Sequence, residues 1–262
     1  MYSNLERIKE HRPLIHHITN WVTIYDCANI TRSFGALPVM AHAKEEVSQM
    51  ATSASALVLN IGTLDDSIIE SMVLAGKSAN AKGIPVILDA VGAGATTFRT
   101  AKTNELLEKV KIDILKGNAG EIGSIAGIEA EVLGVESISV SKAPQLIAKE
   151  LASHLSCVIA ITGKTDYVSD AKITYAIKNG HELMGKVVGT GCMSTSVIGC
   201  FAAVEKDYTK ASVAALSCFG IVGELAADNC NGIGSFKENF FDATGKLDMM
   251  TITKKQKVSE FP

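Results

Sequence analysis

The sequence predicts an α/β fold: a central, mostly parallel β-sheet flanked by α-helices on both faces. Three observations predict it. Short β-rich apolar runs alternate with segments of helical spacing. Runs such as Ala56-Leu57-Val58-Leu59 and Val158-Ile159-Ala160-Ile161 are continuously apolar, which suits strands covered on both sides. Glycine and polar residues gather just after these runs, where open α/β sheets place ligands.

The elements follow in chain order. Strands are expected over residues 37–40, 56–61, 85–89, 112–116 and 157–162. A helix is expected over 22–32, after a turn at Asn20. Residues 65–82 place Ile68, Ile69, Met72, Val73 and Ala79 at helical spacing, and Gly83-Ile84-Pro85 stops that helix. Another helix is expected over 100–110. The stretch 127–139 reads as an irregular connection. Residues 167–169 and 173–177 read as an antiparallel hairpin. After Gly191 the chain reads as helices over 192–205, 209–228 and 235–245.

A chain of 262 residues is expected to form one domain over 1–262. With 47% hydrophobic and 20% charged residues, it is neither disordered nor a coiled coil. The net charge of −3 and the lack of a long basic run exclude nucleic acid as the expected partner. The charged start is not expected to act as a secretory signal. The apolar stretch 211–227 carries Glu224 and is short for a bilayer, so a buried helix is expected and no membrane partner. The six cysteines include no C-x-x-C pair, which excludes a zinc finger or thioredoxin motif. Free thiols are expected, and with them a cytoplasmic location.

Four clusters carry candidate chemistry. Asp89-Ala90-Val91-Gly92-Ala93-Gly94 follows the third strand. It has two glycines of a dinucleotide fingerprint, but Thr97 stands where the third belongs. A plain turn capped by Asp89 is the alternative reading. In Lys116-Gly117-Asn118-Ala119-Gly120-Glu121, the spacing of Asn118 and Glu121 matches a capping box. The same oxygens also suit magnesium. Thr162-Gly163-Lys164-Thr165 resembles the end of a P-loop, but Val158 replaces the required glycine, which excludes Walker A. Thr162 can still reach a ligand. Gly189-Thr190-Gly191-Cys192 opens a helix, so its backbone N–H groups suit a phosphate or a developing phosphoryl charge. A thiol there is expected to have a lowered pKa. His16 and His17, adjacent on a strand, point to opposite faces and do not chelate one metal. One is expected packed and the other exposed.

Together these clusters resemble the hydroxyethylthiazole kinases of the ribokinase-like superfamily. The matching segments are 13–20, 26–30, 35–40, 60–64, 89–96 with Phe98-Arg99-Thr100, 117–122 and 189–192, then Gly234-Ser235-Phe236 and Phe241-Asp242-Ala243. Cys192 is the most specific feature, because most ribokinase-like enzymes carry aspartate there. Ala90 replaces a common proline, and Lys116 a common arginine. The resemblance implies ATP-dependent phosphorylation of the primary alcohol of 4-methyl-5-(2-hydroxyethyl)thiazole. It implies Asn20, Met40 and Gly189 at the thiazole; Lys116, Thr162 and Asn118 at ATP; and Asp89 and Glu121 at Mg2+. Gly189, Thr190, Gly191 and Cys192 would form the catalytic turn. It also implies a homo-oligomer, most simply a trimer with sites between subunits. A non-catalytic sensor, an NAD-dependent oxidoreductase and another vitamin-precursor kinase are the alternatives.

Overall fold

The computed structural model of the chain describes residues 3–128, 130–133, 136–228 and 230–261. The first half runs α1 (Ser3–His11), β1 (Leu14–Ile18), α2 (Ile24–Ser33), β2 (Leu37–Val39), α3 (Val47–Ser53), β3 (Ala56–Asn60), α4 (Asp66–Lys82), β4 (Val86–Asp89), α5 (Thr97–Lys109), β5 (Ile114–Asn118) and α6 (Ala119–Ile125). Then come β6 (Ala130–Leu133), β7 (Glu136–Val140), α7 (Pro144–Leu155), β8 (Val158–Thr162), β9 (Asp166–Ser169), β10 (Thr174–Ile177) and a 3₁₀ helix (Glu182–Lys186). The chain closes with α8 (Thr190–Ala202), α9 (Tyr208–Ala227), α10 (Ile233–Thr244), α11 (Met249–Lys255) and β11 (Val258–Phe261).

Nine strands form one sheet in the order β2-β1-β3-β4-β5-β8-β9-β10-β11. Neighbours from β2 to β8 pair in parallel, and β8 to β11 antiparallel. The two faces are sorted by strand alternation. Ile15, Val58, Ile87 and Ile114 pack against α1, α2, α8, α9 and α10. Leu57, Leu59, Leu88 and Leu115 face α3 to α7. Continuous apolar runs are thus the sequence form of a strand buried on both sides.

Local chemistry sets the helix ends. The Asp65 carboxylate accepts from Ile68 N at 2.8 Å and starts α4, and Gly83 at φ +77° ends it. Thr96 caps α5 through Arg99 N, so that helix starts at Thr97 and not at 100. Gly189 precedes α8, which starts at Thr190, before the expected 192. The stretch 127–139 is not irregular throughout: β6 and β7 pair as an antiparallel hairpin, while residues 129, 134 and 135 lie outside the described residues. The short strand β11 adds an edge beside β10. Helix α9 is long and apolar enough to cross a membrane, but it is mostly buried and serves as the core helix the sequence predicts. His16 and His17 do point apart, but both are buried, which corrects the expectation of one exposed ring. Burial holds both pKa values down, that of His17 at about 4, so both rings are neutral.

Candidate active site

Sheet register builds the centre of the site. Asn60, Asp89 and Lys116 are direct partners across β3, β4 and β5. Each lies two residues beyond Val58, Ile87 or Ile114, so all three side chains point to the face covered by α8. All three are buried. The N-terminal turn of α8 lies over this row.

The polar groups there bond to one another. Asp89 Oδ2 accepts from Asn60 Nδ2 at 2.8 Å and from Thr195 Oγ1 at 2.7 Å. Asp89 Oδ1 pairs with Lys116 Nζ at 3.2 Å, and the same ammonium donates to Gly191 O at 3.0 Å. On the other side, Asn20 Nδ2 donates to Asn60 Oδ1 at 2.9 Å and to Cys192 Sγ at 3.3 Å. The sulfur, two amides, a carboxylate, an ammonium and the Gly191 carbonyl therefore form a ring that returns to the helix turn. Gly189, at φ +97°, makes this approach possible: a Cβ there would lie 2.9 Å from Thr23 Cγ2. The Thr190 hydroxyl donates to Met184 O at 2.7 Å and ties the turn to the 3₁₀ helix.

The charges follow from burial. Burial alone would push Lys116 down, but the charges at Asp89, Glu121 and Cys192 outweigh it and hold its pKa above the ordinary value. Cys192 departs from expectation. Its burial, then the Asp89 charge, raise the thiol pKa despite Lys116. The lowered thiol pKa expected from sequence is corrected on that ground.

Glu121 sits one turn away. Its Oε1 accepts from Gly92 N and its Oε2 from Asn118 N, both at 2.7 Å, while Asn118 Oδ1 accepts from Glu121 N at 2.9 Å. The capping box is therefore real, and it extends to the glycine turn after β4. Burial pushes the Glu121 carboxyl up to about 7, opposed by Lys116. Thr162, register partner of Asn118 on β8, reaches Gly117 O at 3.4 Å. Met40 lies one residue past Val39, the partner of His16, on edge strand β2, two strands from Asn60.

A cavity of about 770 Å³ opens beside the ring. Thr162, Asp166, Asn179, Met184, Thr190, Gly191 and Phe219 are among its walls. Three site residues escaped the reading of roles from sequence. Asn60 and Thr195 hold Asp89. Arg99 donates to Ile61 O at 2.9 Å, Val91 O at 3.0 Å and Gly62 O at 2.8 Å, clasping the turns after β3 and β4. The signal for Asn60 was present: it is the one polar residue ending an apolar strand, as Asp89 is. Among the described residues, no three His, Cys, Asp or Glu side chains cluster as a protein-only metal cage.

The parallel sheet, the glycine turn feeding α8 and the charged pair beneath it define a ribokinase-like kinase fold. A ribokinase-like superfamily protein from Enterococcus faecalis shares it with a TM-score of 0.66 at 11% identity, over 94% of each chain. The hydroxyethylthiazole kinase family model matches residues 5–250, and the chain belongs to that family. A hydroxyethylthiazole kinase from Methanosarcina mazei is 56% identical, covering 99% of this chain and 100% of that one. The structure of hydroxyethylthiazole kinase from Pyrococcus horikoshii superposes with a TM-score of 0.91 at 40% identity, over 100% and 98% of the two chains.

Proposed function

We propose that this protein transfers the γ-phosphoryl group of ATP to the primary alcohol of 4-methyl-5-(2-hydroxyethyl)thiazole, forming its phosphate for thiamine biosynthesis and salvage. Family membership supports the substrate class. The observation that carries the chemistry is the closed ring that brings Cys192, Asn20, Asp89 and Lys116 under the first turn of α8.

ATP occupies the cavity walled by Thr162 and Gly191, with its triphosphate towards α8. Lys116 and the amides of the turn from Gly189 to Cys192 stabilise charge on the moving phosphoryl group. Thr162 and Asn118 bound the phosphate end, while Asn20, Met40 and Gly189 line the thiazole. The alcohol oxygen forms the new P–O bond as the bond to the bridging oxygen breaks and ADP leaves. A loose transition state asks for little early proton removal. A thiol with a raised pKa therefore suffices at Cys192: it orients the hydroxyl, and its thiolate fraction takes the proton as the bond forms.

Asp89 and Glu121 fit Mg2+ as a hydrated ion. Their oxygens already accept protein donors, which leaves outer lone pairs for metal-bound water and suits an ion that keeps several waters. When bound there, Mg2+ would offset charge on the bridging phosphates.

The site lies beside an apolar surface. Trp21, Val22, Tyr25 and Val188 are 51%, 68%, 77% and 72% exposed, and they flank Asn20, Thr23 and Gly189 in sequence. These exposed apolar side chains support a homo-oligomer, and family membership supports a trimer with sites between subunits. One domain over 1–262 carries the site, and free cysteines suit the cytoplasm.

The test is to incubate the protein with ATP, magnesium and a panel of vitamin-precursor alcohols, then identify products by mass. Hydroxyethylthiazole phosphate is expected as the main product. Phosphorylation of a different alcohol, with thiazole untouched, would overturn the assignment.

A further inference from the structure

Two buried amides separate Cys192 from Asp89, and their orientation is fixed by donors that cannot reverse. Thr23 N donates to Asn20 Oδ1 at 3.0 Å, so the Asn20 oxygen faces Thr23 and its NH2 faces Cys192. Gly62 N donates to Asn60 Oδ1 at 2.9 Å, so the Asn60 NH2 faces Asp89. A backbone N–H only donates, which settles both amides without reference to the side chains they bridge. Asn20 then spends its two N–H bonds on Asn60 Oδ1 and on Cys192 Sγ.

Two consequences follow. The Cys192 sulfur is an acceptor on the Asn20 side, so its own proton is directed away from Asn20. The position of the Asn20 amide depends on Asn60, because Asn60 Oδ1 takes its other N–H and is itself held by Gly62 and Asp89. Gly62 has no room for a side chain: a Cβ there would lie 2.9 Å from Asn20 Cβ. Arg99 pins the same turn through Ile61 O and Gly62 O.

We propose that Asn60 is a positioning residue for the phosphoryl acceptor: it holds the Asn20 amide on the Cys192 sulfur and locks that pair to Asp89. It acts through Asn20 and Cys192 and touches neither substrate. The proposal rests on the kinase reading for its rate effect. Its effect on the sulfur is independent of that reading.

The experiment is a double-mutant cycle joined to thiol labelling. Asn60→Ala is expected to lower kcat about tenfold to a hundredfold, the scale of one or two lost hydrogen bonds at a reacting group. In a Cys192→Ala background the same change is expected to cost at least about fivefold less, the remaining loss passing through Asp89. Equal fold-losses in both backgrounds would show a general structural role and overturn the proposal. Iodoacetamide labelling of Cys192, located by peptide mass, is expected to slow several-fold in Asn60→Ala; unchanged or faster labelling overturns it. If the unmutated protein fails to phosphorylate the thiazole, the functional reading falls and labelling alone decides. Should Asn60→Ala not fold, as judged by circular dichroism, Asn60→Ser is subject to the same criteria.

Discussion

The two ends of the candidate site differ in how they are made. At the end proposed to receive the phosphoryl group, the acceptor end, Asn20, Asn60, Asp89 and Lys116 are buried, and their polar atoms are bonded to one another. At the end proposed to take the nucleotide, an open cavity of about 770 Å³ is walled by Thr162, by the turn into β9 and by the segment from β10 to α8. The ring is preorganised, whereas the cavity supplies mainly shape and a few polar groups. Changes at the acceptor end should therefore affect turnover and folding together. Changes at the cavity should affect nucleotide affinity alone.

The largest break in that contrast is Lys116→Met. It leaves the Asp89 carboxylate buried without its cation, which costs about 3–5 kcal/mol of stability. Turnover should fall by about 10²–10³-fold, the scale of a lost transition-state donor. Adding Asp89→Asn should recover most of the stability but none of the turnover. Denaturant melts and steady-state rates on the three variants check this; full recovery of activity in the double variant would contradict it.

Glu121 gives an intermediate effect, and its sign is fixed by burial. Its folded pKa, about 7, lies above the ordinary 4.5, so the folded chain holds this proton more tightly than the unfolded one. The stabilising contribution is full below 4.5 and is lost as pH rises through about 7. The change is on the order of 3 kcal/mol at most. Glu121→Gln loses one amide bond at every pH but removes the titration. The stability advantage of the unmutated chain should thus shrink as pH rises from about 5 to 8. An advantage that grows over that range would contradict the assignment.

The smallest effect is expected at the cavity wall. Thr162→Val removes one hydroxyl without changing shape, so KM for ATP should rise about fivefold and kcat stay within about twofold. A kcat loss as large as that of Lys116→Met would erase the distinction between the two ends.

Much of this was legible in the sequence, for physical reasons that also mark where it stopped. The strands at 56–60, 86–89, 114–118 and 158–162 announce themselves because both faces are buried. The polar residues in their C-terminal halves, Asp89 and Lys116, follow from the rule that such sheets bind ligands at strand ends. Strand β11 is only four residues long, and its pairing partner β10 lies about 80 residues away in the chain. The β6–β7 hairpin lacks a strong apolar alternation. In the site, Thr195 gains its meaning only when helix packing brings it to Asp89. The thiol was misjudged because the helix N-terminus is a local effect, whereas burial and the Asp89 charge come from the fold.

The central claim is that the alcohol is activated beside Cys192 and receives the phosphoryl group directly. Single-turnover reactions with hydroxyethylthiazole and ATP, comparing the unmutated chain with Cys192→Ala and Cys192→Asp, test it most directly, with intact mass followed throughout. The Ala variant should still bind thiazole and form product about 10²–10⁴-fold more slowly, as for loss of a proton-accepting group. The Asp variant should retain or restore activity, and no phosphorylated protein should appear at any time. Phosphocysteine during turnover, or an Ala variant at full rate, would contradict the claim.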